Sequence, residues 1–374
     1  MTMSKTGNKP LKILIAGGGT GGHVFPAIAI ASAIQRKLPE SYILFVGAKG
    51  RMEMKKVPEA GFHVIGLDIA GLQRRLTLKN LLLPLKLLKS LRGARIIVKR
   101  FKPGLAIGVG GYASGPLLWA AAKQNVPVMI QEQNSYPGLT NRLLGKKAKK
   151  ICVAYEGMEK YFPAHKLYLT GNPVREDMVE IKSKRKEALK HFGMQKNKPV
   201  LLVTGGSLGA RSINLAVAKH LDEWIKNGIQ LIWQTGTSFH EQAILLKKKS
   251  GLNDELFVSA FISRMDYAYA AADMVVSRAG AIAVSELCII GKPLILIPSP
   301  NVAEDHQTKN ALVLVNQQAA IMIKDDQAGE KLGNTVSDLI FNEKKMNALK
   351  ENIAGLAHRN AADLIADAAL SMVR

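Results

Sequence analysis

Apolar residues along this chain fall into two repeating series. In the first, the runs LKILIAG, SYILFVGA, FHVIGLDIA, LAIGVG, VPVMIQE and KKICVAYE are separated by helical patterns such as PAIAIASAIQRKL and SGPLLWAAAKQ. KLYLTGNPV closes that series with a strand and a Gly-Asn-Pro turn. The second series runs PVLLVTGG, IQLIWQTG, ELFVSAFI, DMVVSRAG and KPLILIP, interleaved with ARSINLAVAKHL, MDYAYAAA, AIAVSELCIIG and DHQTKNALVLVNQQ. Strands of roughly four to eight residues alternating with helices of about ten or more predict parallel sheets in doubly wound domains. Two such series predict an α/β chain of two similar Rossmann-like domains, and a strongly helical last segment, NALKENIAGLAHRNAADLIADAALSMVR, is expected to pack back across their boundary.

Length and composition agree with this picture. The 374 residues are about twice the usual size of one domain, and 47% are apolar, enough for well-filled cores. Two cysteines, Cys152 and Cys288, lie far apart in hydrophobic stretches, which is neither a disulfide framework nor a metal-ligand spacing and fits a reducing, cytoplasmic setting. The polar opening MTMSKTGNKP lacks the apolar core of a signal peptide. No apolar run approaches the roughly 18 residues that a membrane-spanning helix requires.

Charge adds an asymmetry that the hydrophobic pattern does not show. The net charge is +23, yet residues 1–172 carry 27 Lys+Arg against 7 Asp+Glu and residues 173–374 carry 25 against 22. An anionic partner is therefore expected for the first half alone. The excess peaks between Ile69 and Gln131, which hold 11 Lys+Arg and no acidic residue. There GLQRRLTLKNLLLPLKLLKSLRGARIIVKRFK interleaves cations with leucines and is divided by Pro84. An amphipathic helix of this kind suits an anionic membrane surface. Aromatics for base stacking are scarce, with only Phe101, so no nucleic-acid partner is expected.

The two halves also begin alike, LKILIAGGGTGG and PVLLVTGGSLGA each running from a strand through a glycine turn into a helix. Such a turn brings backbone N–H groups toward an anion at a helix N-terminus. Gly17, Gly19 and Gly22 form a GxGxxG, compatible with a dinucleotide or simply with tight strand-to-helix packing. A dinucleotide site needs an acidic residue at the end of the second strand. That strand ends in Gly47, Ala48 and Lys49, so no carboxylate is expected there, which argues against a nicotinamide cofactor. His23 stands at the predicted helix start, where the dipole disfavours its protonated form. It is a candidate general base, or a histidine that caps or packs locally.

Further motifs sit at predicted strand ends: GVGGYASGP, QEQNSYPGLTNRLL, TGNPVR, GGSLGARSIN, SRAGAIAVSE and EDHQTKNA. Taken in order with GGGTGGHVFPA, they closely resemble the MurG family of N-acetylglucosaminyltransferases, over most of the chain. The resemblance implies a GT-B glycosyltransferase fold, two Rossmann-like domains facing across a cleft. Residues 1–172 would bind acceptor and membrane, 173–354 would bind UDP-N-acetylglucosamine, and 355–374 would form a helix returning to the first domain. It implies an inverting transfer of N-acetylglucosamine to the C4 hydroxyl of a lipid-linked muramyl pentapeptide, peripherally on the cytoplasmic face of the inner membrane. The alternatives are another GT-B transferase with a different nucleotide sugar or acceptor, or a non-catalytic lipid- or nucleotide-binding module.

The resemblance also implies roles residue by residue. Glu286 would bind the ribose hydroxyls, Ser207 with the GGSLGA backbone the diphosphate, and the backbone of Ile262 the uracil. Gln307 and Asn134 would reach the sugar, Arg175 would add a donor contact, and Thr20, Gly21 and Gly22 would line the substrate beside His23. No DxD-like pair occurs at an obvious sheet-end loop, so neither a metal nor a cofactor is expected. The chain departs from the family pattern twice. Gln131 stands where a histidine often precedes EQN, which puts weight on His23, and Ser263-Arg264 replaces an acidic pair after FI.

Overall fold

The computed structural model describes residues 10–69, 83–111, 113–174, 181–251 and 255–373. The chain divides into two compact units, Met1–Val174 with Asn360–Arg374, and Arg175–Arg359.

The first unit runs β1 (Lys12–Ala16), α1 (Gly21–Lys37), β2 (Tyr42–Ala48), α2 (Glu53–Glu59), β3 (His63–Leu67) and α3 (Leu83–Phe101). It continues through β4 (Leu105–Gly108), α4 (Ser114–Lys123), β5 (Val128–Glu132), α5 (Leu139–Gly145), β6 (Lys150–Val153) and β7 (Leu167–Leu169). The second runs α6 (Arg185–Phe192), β8 (Val200–Thr204), α7 (Arg211–Lys226), β9 (Gln230–Gln234), α8 (Thr237–Ser250), β10 (Leu256–Ser259) and α9 (Met265–Ala271). There follow β11 (Met274–Ser277), α10 (Ala281–Ile290), β12 (Leu294–Leu296), α11 (His306–Asn316), β13 (Ile321–Met322), α12 (Ala328–Ile340) and α13 (Glu343–Ala354). The final helix, α14 (Ala361–Leu370), belongs to the first unit.

Both sheets are parallel among the described residues, with orders β3-β2-β1-β4-β5-β6-β7 and β10-β9-β8-β11-β12-β13. Each is doubly wound, and its order reverses beside β1 or β8, where ligands bind in open α/β sheets. The strands read as continuous apolar runs because both faces are covered. In the first sheet Ile13, Ile15, Phe45 and Met129 pack with α1 and α14, while Leu14, Val46, Ala106 and Ile130 pack on the side of α3 and α4. In the second, Trp224 and Trp233 are fully buried together on one face.

The last helix is tied to the first. Ile365, Ala366 and Ala369 of α14 share a core with Ala27, Ile30 and Ile34 of α1, and exposed pairs Arg36–Asp363 (3.3 Å) and Lys37–Asp367 (2.9 Å) border it. In the basic segment, residues 70–82 lie outside the described residues, and the part that follows runs as α3 from Leu83 to Phe101.

Candidate active site

In the first unit the chemistry gathers around the loop between β1 and α1. Gly17 is packed so closely that an added Cβ would lie 3.3 Å from the carbonyl oxygen of His23 and from Cβ of Val109. Gly19 has φ +88°, and Gly111, at φ +83°, would place a Cβ 2.3 Å from the carbonyl oxygen of Gly18. The loops after β1 and β4 therefore meet backbone to backbone, which only glycine allows. Thr20 takes an extended conformation and α1 begins at Gly21, so Thr20, Gly21, Gly22 and His23 form its N-terminal turn. The Thr20 hydroxyl lies 3.2 Å from His23 Nδ1. A Cβ on Gly110 would sit 2.8 Å from His23 Nε2, so the ring lies along the glycine loop after β4.

A carboxylate does reach the end of β2, contrary to the sequence expectation. It comes from α2: Glu53 is 1% exposed, and its Oε1 accepts from Ala48 N at 2.9 Å and its Oε2 from Gly19 N at 3.0 Å. Its oxygens serve the loop, not a ribose.

The QEQN motif ends β5 and starts the next loop. Gln131 is fully buried and donates to Asn172 Oδ1 at 3.0 Å, and Asn172 donates back to the Gln133 carbonyl at 2.9 Å. Gln133 donates to Gln131 Oε1 and to the Val109 carbonyl, the latter at 2.7 Å. The residue in place of the family's histidine thus belongs to a buried amide chain from the GNP turn to the loop beside His23. Glu132, also buried, accepts from Asn134 N (3.0 Å), Asn134 Nδ2 (3.2 Å), Gly138 N (3.2 Å) and Asn141 Nδ2 (2.8 Å). Its burial raises its pKa against those hydrogen bonds. Asn134 is half-buried, its amide nitrogen held by Glu132.

In the second unit Ser207 is exposed on the loop after β8. Gly209, at φ +77°, would place a Cβ 2.1 Å from the Thr235 carbonyl, locking that loop to the one after β9. Gln234, a residue without any motif to mark it in the sequence, joins three segments. Its Nε2 donates to Thr204 Oγ1 and the Gly206 carbonyl, both at 3.1 Å, and its Oε1 accepts from Ile262 N at 2.9 Å. The Ile262 side chain is core, 4% exposed.

The Ser263-Arg264 departure is neutralised locally. Arg264 Nε and Nη2 each donate to Asp266 at 2.9 Å, Lys184 approaches the same carboxylate at 3.0 Å, and the guanidinium lies 3.6 Å over the Tyr267 ring. These cations hold the Asp266 carboxyl well below the ordinary range, Arg264 contributing most.

Glu286 is half-buried on α10. The turn before that helix is anchored by Arg278, which donates to the Ile297 (3.0 Å) and Pro298 (3.1 Å) carbonyls and pairs with Asp325. Gln307, on the first turn of α11, accepts from Ser299 N at 2.8 Å through Oε1. Just before it Glu304 and Asp305 both adopt φ +53°, a conformation costing about 1–3 kcal/mol at each non-glycine residue and concentrated at functional sites. In the first unit Thr20, Gly21, Gly22 and His23 thus follow β1 and Asn134 follows β5; in the second, Ser207 follows β8 and Ile262 follows β10, while Glu286 lies in the second turn of α10 and Gln307 in the first turn of α11. Arg175 lies outside the described residues.

Residues 13–153 match the glycosyltransferase family 28 N-terminal domain and residues 200–365 the glycosyltransferase family 28 C-terminal domain. Fold and site thus define a glycosyltransferase built from two Rossmann-like domains. A UDP-N-acetylglucosamine–N-acetylmuramyl-(pentapeptide) pyrophosphoryl-undecaprenol N-acetylglucosamine transferase from Parabacteroides distasonis is 53% identical over 97% of this chain and 98% of that protein. One of the same name from Cytophaga hutchinsonii is 52% identical over 98% of each chain. The crystal structure of Acinetobacter baumannii MurG superposes with a TM-score of 0.78 at 28% identity, over 97% of this chain and all of that one. The chain belongs to the MurG family. A UDP-GlcNAc 2-epimerase from Neisseria meningitidis shares the fold alone, with a TM-score of 0.67 and 15% identity over 96% of this chain and 100% of that one.

Proposed function

We propose that this chain transfers N-acetylglucosamine from UDP-N-acetylglucosamine to the C4 hydroxyl of an undecaprenyl-pyrophosphoryl-N-acetylmuramyl pentapeptide, inverting the anomeric carbon. The observation that carries the reading is the placement of His23 in the first turn of α1, after β1, and of Glu286 on α10, after β11, in a chain 53% identical to a transferase of that name.

The donor occupies the second unit. Glu286 accepts from the ribose hydroxyls, and Ser207 with the backbone N–H groups of its loop holds the diphosphate, a suitable anion site at a helix start. Gln234 already takes the Ile262 N–H, so the Ile262 carbonyl is the group that meets uracil. Gln307 and Asn134 take sugar hydroxyls, and Arg175 adds a donor contact. In the transfer, His23 takes the proton of the acceptor hydroxyl as its oxygen bonds to the anomeric carbon and UDP leaves from the opposite face. Donors on the diphosphate stabilise the charge developing there, commonly the largest catalytic contribution. Thr20, Gly21 and Gly22 line the acceptor side of the same turn.

No helix among the described residues is long and apolar enough to cross a membrane. On α3 the small residues Ser90, Ala94 and Val98 are buried while Leu87, Leu88 and Ile96 are 54%, 59% and 50% exposed among lysines and arginines. That face seats the protein peripherally on the anionic cytoplasmic leaflet, where its lipid-linked acceptor lies.

The test is transfer of labelled N-acetylglucosamine to a short-chain lipid-linked muramyl-pentapeptide, with UDP-glucose and UDP-N-acetylgalactosamine as rival donors. Transfer from UDP-N-acetylglucosamine in clear preference is expected. Donor binding without transfer, or equal use of a rival, overturns the reading.

A further inference from the structure

The slot filled by Glu53 is built by residues from three places in the sequence. A Cβ on Gly18 would lie 2.1 Å from Glu53 Oε1, and one on Gly47 would lie 2.4 Å from its Cγ. Two glycines, one beyond β1 and one near the end of β2, are thus hollowed around a single buried carboxylate. These strands are neighbours, with Ala16 paired to Val46. In dinucleotide-binding relatives of this fold an acidic group near this strand end faces a ribose. Here the carboxylate turns inward and closes the place, and both oxygens take backbone N–H groups, Ala48 and Gly19.

Gly19 matters because it bends the chain. At φ +88° it directs the loop into Thr20 and the first turn of α1, which sets the His23 ring against Gly110. A free glycine loop samples many backbone conformations. A charged acceptor bond to the Gly19 N–H selects one, and charge-assisted bonds of this kind are about twice as strong as neutral ones.

We propose that Glu53 is a positioning residue for the transfer reaction: it clamps the first glycine loop so that His23 is preset at the acceptor hydroxyl. The proposal rests on the reading of His23 as the general base. Small misplacements of a catalytic group cost large factors in rate, which gives the clamp its leverage.

The test uses the full chain and E53Q, which keeps the side chain's size but turns a donor toward one of the two N–H groups. Expected are a 10- to 100-fold fall in kcat, a KM for UDP-N-acetylglucosamine within twofold of wild type, and an unchanged shape of the pH–rate profile. Wild-type kcat overturns the proposal. So does loss of the profile's basic-group limb, which would make Glu53 the base, or parallel loss of donor binding, which would make its role one of general stability. Should E53Q fail to fold, G18A combined with E53A refills the slot with a methyl group and supplies no acceptor. That pair is expected to be impaired as E53Q would be, and full activity in it overturns the clamp.

H23A separates the two ideas. If Glu53 acts through His23, adding E53Q to H23A costs less than threefold further, since residues acting as a unit are not additive. Independent, multiplying losses overturn the proposal even if His23 is the base. Full turnover in H23A overturns the base reading itself.

Discussion

Thr20 Oγ1 and His23 Nδ1 lie 3.2 Å apart across the first turn of α1, so the hydroxyl that opens the helix also orients its histidine. On the proposed reading of His23 as the base, a ring held at Nδ1 would present Nε2 to the acceptor hydroxyl. His23→Ala is expected to lower kcat about 10²- to 10⁴-fold, the usual range for a positioned general base. Thr20→Val keeps the shape and removes the partner, and should cost about 3- to 30-fold in kcat, with Thr20→Ser restoring most of it. Steady-state rates at saturating donor and acceptor measure both.

Glu286 tests the other unit. Two ribose hydroxyls donating to one carboxylate are charge-assisted bonds of about 1.5–3 kcal/mol each. Glu286→Ala is expected to raise the KM for UDP-N-acetylglucosamine at least about 10-fold while leaving the acceptor KM within twofold. An unchanged donor KM would remove Glu286 from the ribose.

Gln234 holds the Gly206 carbonyl and the Ile262 N–H at once. Gln234→Ala frees both segments around the proposed nucleotide, and should raise the Kd for UDP about 5- to 50-fold with little change in kcat at saturation. Calorimetric titration with UDP reads this directly.

The alternation of buried strands and helices was legible because strands covered on both faces are continuously apolar, and its repetition revealed the duplication. The family motifs marked the strand-end loops for the same reason: glycine, asparagine and serine concentrate where a chain turns sharply. Glu53, Gln234 and Arg278 were not legible, since each acts on backbone groups brought near only by folding. Glu53 follows Gly47 and Ala48 closely, yet its partner Gly19 lies 34 residues earlier. The last residues of β2 carry no sign of it because the carboxylate arrives from the next helix. Gln131 read as the loss of a titrating group, whereas its burial makes it one link of an amide chain.

Two carboxylates give opposite pH dependences of stability. Asp266 is held below its ordinary 3.8 by Arg264 and Lys184, so its contribution is present above 3.8 and lost as pH falls toward its depressed value. Glu132 is raised above its ordinary 4.5 by burial, so its contribution is complete below 4.5 and lost as pH rises through its elevated value. The stability of Asp266→Asn relative to wild type should therefore improve as pH drops below about 4. That of Glu132→Gln relative to wild type should improve as pH rises above about 4.5. Thermal melts from about pH 3 to 8 check both slopes, and slopes of the same sign would contradict the assignment.

Side chains on the exposed face of α3 allow the apolar and electrostatic parts of the proposed membrane attachment to be tested separately. Arg92, Arg95 and Lys99 are exposed beside Leu88 and Ile96, and each cation near an anionic surface contributes about 1 kcal/mol. Neutralising all three to glutamine removes about 3 kcal/mol, so partitioning onto phosphatidylserine-containing vesicles should fall roughly 100-fold. Leu88→Ser with Ile96→Ser should instead weaken binding to neutral and anionic vesicles alike. Wild-type binding to anionic vesicles should decline between about 0.05 and 0.5 M salt as screening shortens the reach of the charges. Sedimentation with the two vesicle types measures all of this, and equal wild-type binding to both would remove the electrostatic part. If those side chains act on the membrane surface as proposed, and not on the reacting sugars, transfer to a short-chain soluble acceptor should be unaffected by either set of changes.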